Sequence, residues 1–356
     1  MASKQGISAW TVASTYIATC IGAGFATGQE VFAYFGHFGR RGLWGAMLAG
    51  VLLSLLAVIT LRVAKKANAT DHLAVINRIL GPVGGQILDY AVVFLLFTGA
   101  GTMLAGSGAT VAEHFGLSPL IGSLLMAGLT FLTVLGGLSG VTRTFSAITP
   151  FLLLLILGVA IVTIARYGVS TAQLHWYQPA RAGAPRWWLA SLLFVSYNFL
   201  VGISVLSPLG GRLRSKRAGD VGAWIGGLTL GLGIMLVDLA LLSGLPASAQ
   251  FQVPMLFLAG LLPRWVMLLY TVALLLAIYT TAVGSILGLA LRLATPGTKK
   301  YATVVLTSII GSFLLSQVGF TVLISRVLPA LGWVGLLLLG GVLLVPFRQG
   351  LPVRQR

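Results

Sequence analysis

The chain has 356 residues, 57% of them hydrophobic and only 8% charged, with a mean hydropathy of +0.99 and a net charge of +17. So few charges cannot solvate the surface of a water-soluble domain of this length, which excludes that class. The positive excess, which in a soluble protein would suggest nucleic acid, is accounted for by basic residues gathered in loops on one side of a membrane.

Apolar runs of about 20 residues or more, each able to cross a hydrocarbon core of about 30 Å, recur from end to end. They predict an all-α polytopic membrane protein with ten spans, at 7–36, 41–66, 83–113, 119–138, 144–168, 187–210, 219–245, 263–293, 300–317 and 320–347. The first is too long for the apolar core of a signal peptide and lacks a convincing cleavage site, so it is expected to remain as a span. The connector 67–82 is polar with apolar residues at helical spacing and reads as a short surface helix; 246–262 is its counterpart. The single cysteine, Cys20, excludes an intramolecular disulfide and argues against a metal cluster.

Sixteen of the 23 lysines and arginines fall in segments on the side of the N-terminus, six fall on the other side, and Arg326 lies within the last span. By the positive-inside rule both termini are cytoplasmic, in a multi-pass protein of the cell membrane. The sequon Asn68-Ala69-Thr70 then faces the cytoplasm and carries no weight. Loop spacing repeats at an offset of roughly 180 residues: 37–41 with 211–218, 67–82 with 246–262, 114–118 with 294–299, and 139–143 with 318–319. Five spans repeated must enter the second time from the opposite side. The single transmembrane domain 1–356 therefore divides into a five-helix repeat, 1–172, and an inverted one, 173–356.

Inside the first span stands CIGAGFATGQE, residues 20–30. Gly22, Gly24 and Gly28 permit a break in the helix, although Gly24 and Gly28 also form a G-x-x-x-G packing face. Packing does not explain Thr27, Gln29 and Glu30, since a glutamate in or near the membrane is costly. In the sixth span, FVSYNFLVGISVLSPLGG (194–211) places Ser196, Tyr197 and Asn198 mid-span, followed by Gly202 and Pro208. Two interrupted helices at matching positions point to a transport site between the repeats.

TYIATCIGAGFATGQE and SYNFLVGISVLSPLG together resemble the YkvI-type membrane protein family, considered amino-acid permeases of the amino acid–polyamine–organocation (APC) superfamily. The resemblance implies a LeuT-like 5+5 inverted repeat with discontinuous helices 1 and 6 and alternating access. It implies that backbone amides at Gly22, Ala23 and Gly24 hold a substrate carboxylate, with Phe25 opening the outer half-helix. Bare amides at the positive end of a helix would favour an anion in any case. Ser196, Tyr197 and Asn198 would add polar contacts, and Thr98, with Thr102, Gly99 and Gly101, a facing wall.

The resemblance also implies a sodium site. Ala277, Thr280 and Thr281 match the A-x-x-[ST]-[ST] spacing of sodium-coupled members, and the carbonyls of Ala18 and Ile21 would complete five oxygens. Threonines also commonly bond back to their own helix, so this spacing is not diagnostic by itself. Helices 1 and 10 meet outside the site in this fold, which makes Glu30 and Arg326 a candidate gate pair. Proton coupling through Glu30, Asp89 or Asp238 stays open, as does an amino-acid-sensing receptor without turnover.

An enzyme is not expected. The four histidines, His37, His72, His114 and His175, fall at loops or helix ends without metal spacing, and no nucleotide-binding G-x-x-x-x-G-K-[ST] is present. The expectation is a secondary active symporter of a small carboxylate-bearing solute, a neutral amino acid, in the lipid bilayer. Sodium is the expected coupling ion, and no cofactor is called for.

Overall fold

A computed structural model of the chain describes residues 6–69, 72–136 and 141–348, apart from the side chains of 141–150 and 346–348. Thr70 of the sequon, Lys4, the residues 137–140 between the fourth and fifth expected spans, the Arg143 side chain and the basic C-terminal residues lie outside that description.

Among the described residues the architecture is helical, with one isolated bridge between Ile7 and Leu213 and no strand. The first expected span is three helices: α1 (Ala9–Cys20), α2 (Ala23–Thr27) and α3 (Gln29–Tyr34). Then follow α4 (Arg40–Ala67) and α5 (His72–Phe115). Within α5, Gly81 stands at φ 76° and ψ 175° just before Pro82 and turns the surface segment into the span. The chain continues with α6 (Pro119–Gly136), α7 (Val141–Tyr167), the short α8 (Thr171–Leu174) and α9 (Trp187–Gly211). The rest is α10 (Lys216–Ser243), α11 (Pro254–Gly260), α12 (Arg264–Leu293), α13 (Lys299–Ser316), α14 (Phe320–Val322), a π-helical turn at Leu323–Val327, and α15 (Leu328–Arg348).

Seven of these are long and apolar enough to cross a membrane unaided: α4, α5, α6, α9, α10, α12 and the run Phe320–Val345; α7 adds the apolar stretch Phe151–Tyr167. The chain is a multi-pass membrane protein.

The helices pack in two groups. In one, α1, α4, α9 and α10 lie against one another; in the other, α5, α6, α12 and α13 do. Between them, α2 touches α12 and α3 touches α9 and α10, so the interrupted first helix runs along the seam. One close crossing is α4 on α10. A Cβ placed on Gly50 or Gly231 would come within 2.8 Å of the other's Cα. Where the solvent is lipid, such backbone proximity is what drives helices together.

One face gathers the N-terminus and the turn between α9 and α10: Ile7 N donates to Arg212 O at 3.0 Å and Arg214 N to Ile7 O at 3.2 Å. On the same face Arg62 makes a two-pronged ion pair with Asp220, at 2.9 and 2.8 Å, and Lys65 Nζ donates to Leu213 O. At the other end of the bundle, the Glu113 carboxylate at the end of α5 accepts from the amides of Gln252 (2.6 Å) and Val253 (3.2 Å), which ties down the entry to α11.

One expectation is corrected. The sixth span is not interrupted; α9 is a single helix from Trp187 to Gly211. Gly202, expected to loosen it, instead makes room for the Tyr16 ring of α1, whose Cε2 would lie 3.3 Å from a Cβ there. Pro208 falls in the last turn, where its missing N–H costs one hydrogen bond and leaves the helix intact.

Candidate functional site

The first helix is interrupted twice, and the two interruptions differ in kind. At the second, Gly28 adopts φ +77°, which only glycine takes without strain. Side chains satisfy three of the groups freed there. Thr27 Oγ1 donates to Gly24 O at 2.7 Å and accepts from Gln29 N at 3.3 Å, and Tyr270 OH of α12 donates to Ala26 O at 2.5 Å. This bend is structural.

The first interruption, at Ile21–Gly22, stays open. Gly22 is extended (φ −102°, ψ −170°), and the next recorded bond across it is Ala26 N to Gly22 O. The amides of Ala23, Gly24 and Phe25 and the carbonyls of Ala18 and Ile21 have no hydrogen-bond partner among the described residues. A Cβ on Gly22 would meet nothing within 4 Å. Bare peptide groups inside a membrane protein are tolerated where they line a cavity. Since α2 has only five residues, any attraction for an anion comes from these amides rather than from a summed helix dipole. The outer half begins at Ala23, two residues before Phe25, which packs with α10 beside Gly233.

Glu30 lies over this break. Its side chain folds back on Gly24, where an added Cβ would overlap Oε2. Asn198 Nδ2 of α9 donates to Glu30 Oε1 at 3.5 Å and to Phe194 O at 3.1 Å. Glu30 is 8% exposed and Asn198 7%. Arg326 is solvent-exposed on the π turn and makes no ion pair with Glu30. The expected gate pair is not formed in this conformation, although α3 packs against the π turn that carries Arg326.

The three polar neighbours on α9 separate, since successive residues of an unbroken helix point about 100° apart. Asn198 faces the break. Ser196 instead donates to Leu193 O (2.9 Å) and Gly332 O (2.6 Å), joining α9 to α15. Tyr197 belongs to an aromatic triangle with Tyr34 and Phe194, with centroids 5.7 Å (Tyr34–Tyr197), 5.6 Å (Tyr34–Phe194) and 5.7 Å (Phe194–Tyr197). Tyr34 stands one turn beyond Glu30, and Phe194 one turn beyond Asn198, so the triangle covers the carboxylate on the side away from the N-terminus. That lid was missed by sequence reasoning; its signal was aromatic residues one helical turn from each polar one. Thr98 is buried with its hydroxyl proton given to Phe94 O and Leu95 O, and Thr102 donates to Thr98 O, so neither has a proton free to donate.

On α12, the Thr280 and Thr281 hydroxyls both donate to Ala277 O, at 2.9 and 2.8 Å. Back-bonding occupies their protons but leaves oxygen lone pairs free. Asp89 forms an ion pair with Arg292 and is not a free proton carrier. Asp238 is fully buried beside the Gly36–Gly42 turn, and neither oxygen has a partner among the described residues. No group of three metal-ligating side chains occurs among the described residues.

On the N-terminal side the site is less covered. Along α1 the exposed positions Thr11, Ser14 and Ala18 recur at helical spacing and lead to partly exposed Gly22. A stripe of small and polar residues suits water better than lipid.

No family model matches the chain. Over 340 residues it is 28% identical to the membrane protein YkvI of Bacillus subtilis strain 168, covering 94% of this chain and 95% of that one. Over 330 residues it is 27% identical to YyaD of the same organism, covering 93% and 94%. Among solved structures, the inward-facing conformation of Mhp1 superposes with a TM-score of 0.60 at 14% identity, over 96% of this chain and 77% of that one. MhsT in complex with L-phenylalanine gives 0.56 at 16% identity, over 92% and 87%. A sodium-coupled sialic acid symporter gives 0.57 at 14% identity, over 87% and 74%. These are transporters rather than enzymes, and the fold they share with this chain is LeuT-like.

Proposed function

We propose that the chain is a secondary active transporter of the alternating-access type, built as a 5+5 inverted repeat of ten spans with both termini cytoplasmic. Its cargo is a small carboxylate-bearing solute, a neutral amino acid, moved with sodium. The observation that carries this reading is the unsatisfied first interruption: amides of Ala23, Gly24 and Phe25 on one lip and carbonyls of Ala18 and Ile21 on the other. The amides suit a carboxylate and the carbonyls a hard cation. Ala277, Thr280 and Thr281 would complete the sodium shell with neutral oxygens. The sodium-coupled symporter among the structural neighbours supports the choice of ion. The aromatic triangle above Glu30 and the polar stripe on α1 suit a state closed outwards and open towards the cytoplasm.

The test is uptake by the purified protein in liposomes. An imposed inward sodium gradient should drive accumulation of a neutral amino acid, and Thr280→Ala with Thr281→Ala should abolish the sodium dependence while the protein still folds. Binding without accumulation under any gradient would instead identify an amino-acid sensor. A second reading, proton coupling, is favoured by one observation: Glu30 has no basic partner among the described residues. Uptake driven by a pH gradient in sodium-free buffer would select it.

A further inference from the structure

The carboxylate of Glu30 has been placed but not explained. It is 8% exposed, sits directly over Gly24, and receives one long hydrogen bond, 3.5 Å from Asn198 Nδ2. The ion pairs that α4 and α5 help to form are elsewhere, Arg62 with Asp220 and Arg292 with Asp89. Arg326, the cation expected to answer it, is exposed on the π turn. A carboxylate taken out of water with so little compensation is stable only when a positive charge or a proton joins it. Glu30 Oε2 and Asn198 Oδ1 have no partner among the described residues, and open space adjoins Gly22. Glu30 Oε2 stands over Gly24, two residues from the open position at Gly22, with Asn198 beside it and the aromatic triangle on its far side.

We propose that Glu30, aided by Asn198 Oδ1, is the ammonium-binding residue of the cargo site, so that the solute must carry a protonated primary amine. This rests on the transporter reading and sharpens it. The open amides of the break would take the carboxylate end of a zwitterion, and Glu30 its ammonium end. An ammonium fits the donor requirement, since it offers three N–H groups to acceptor-only partners. The charge-assisted bond it forms replaces the missing counter-ion. It follows that a net anionic solute with no amine is rejected, because it would bring a second negative charge to Glu30.

The experiment uses the purified full chain in detergent and sodium chloride. The amino acid that most stabilises the wild type in a thermal-shift screen is compared with its N-acetyl derivative, its deaminated acid and its decarboxylated amine. The N-acetyl derivative and the deaminated acid should bind about tenfold or more weaker, while the amine remains a ligand. Glu30→Gln, which keeps size and one hydrogen bond to Asn198, should weaken the parent amino acid by a similar factor. It should also erase the difference between parent and N-acetyl derivative. Equal binding of parent and N-acetyl derivative by the wild type, which needs no variant, would overturn the assignment. So would a Glu30→Gln protein that binds the parent normally at saturating sodium but needs more sodium to do so, since Glu30 would then be an ion ligand. Failure of every amino acid and amine to bind the wild type would remove the transport reading, and this assignment with it. Intact transport by Glu30→Gln would remove only the assignment.

Discussion

Thr27 and Tyr270 show how a bend is made tolerable in a membrane helix. At the αL turn of Gly28 these two side chains answer Gly24 O, Ala26 O and Gln29 N. Removing the Tyr270 hydroxyl leaves Ala26 O buried without a partner. Tyr270→Phe should therefore lower stability by about 1–3 kcal/mol, read as an earlier midpoint in denaturant-driven unfolding in mild detergent. The same scale shows why residue names alone under-determine the site. Ser196, Tyr197 and Asn198 are adjacent and all polar, yet they serve a helix contact, an aromatic lid and the break respectively. Glu30 stood out in the sequence as an intramembrane acid. Its direction depended on the bend two residues earlier.

At the scale of elements, glycine has two uses in this chain, and sequence does not separate them. Gly22 and Gly28 interrupt helix 1, whereas Gly50, Gly202 and Gly231 stay helical and bring neighbours close. The interruption in helix 1 was legible because three glycines coincide there with threonine, glutamine and glutamate. The one expected in helix 6 was misread because Gly202 and Pro208 suggest weakness only until Tyr16 is seen in the space. At the α4–α10 crossing a side chain has nowhere to go. Gly231→Val should cost about 1–3 kcal/mol by overpacking and force the helices apart, seen as a lowered melting temperature of the purified protein. Valine placed at Gly284, whose Cβ direction is empty within 4 Å, should leave that temperature nearly unchanged.

For the whole molecule, the seam between the two helix groups holds the break, with aromatic rings closing one end and the small, polar face of α1 lining the other. This asymmetry predicts one-sided access. In a Cys20→Ala background, a cysteine at Ala18 should react with a membrane-impermeant thiol reagent from the N-terminal side, in inside-out vesicles. It should be protected in right-side-out vesicles. Reaction from the opposite side alone would reverse the orientation of the site.

That the chain crosses a membrane many times as helices, and that its first span has a weak point, were decided by the sequence itself. Both depend on local quantities: the length of apolar sequence and the backbone freedom of a few glycines. That helix 6 holds together and that Glu30 meets Asn198 were decided only by the tertiary structure. Each depends on what a residue more than a hundred positions away places beside it, and a buried charge or a glycine acquires its role from that neighbour.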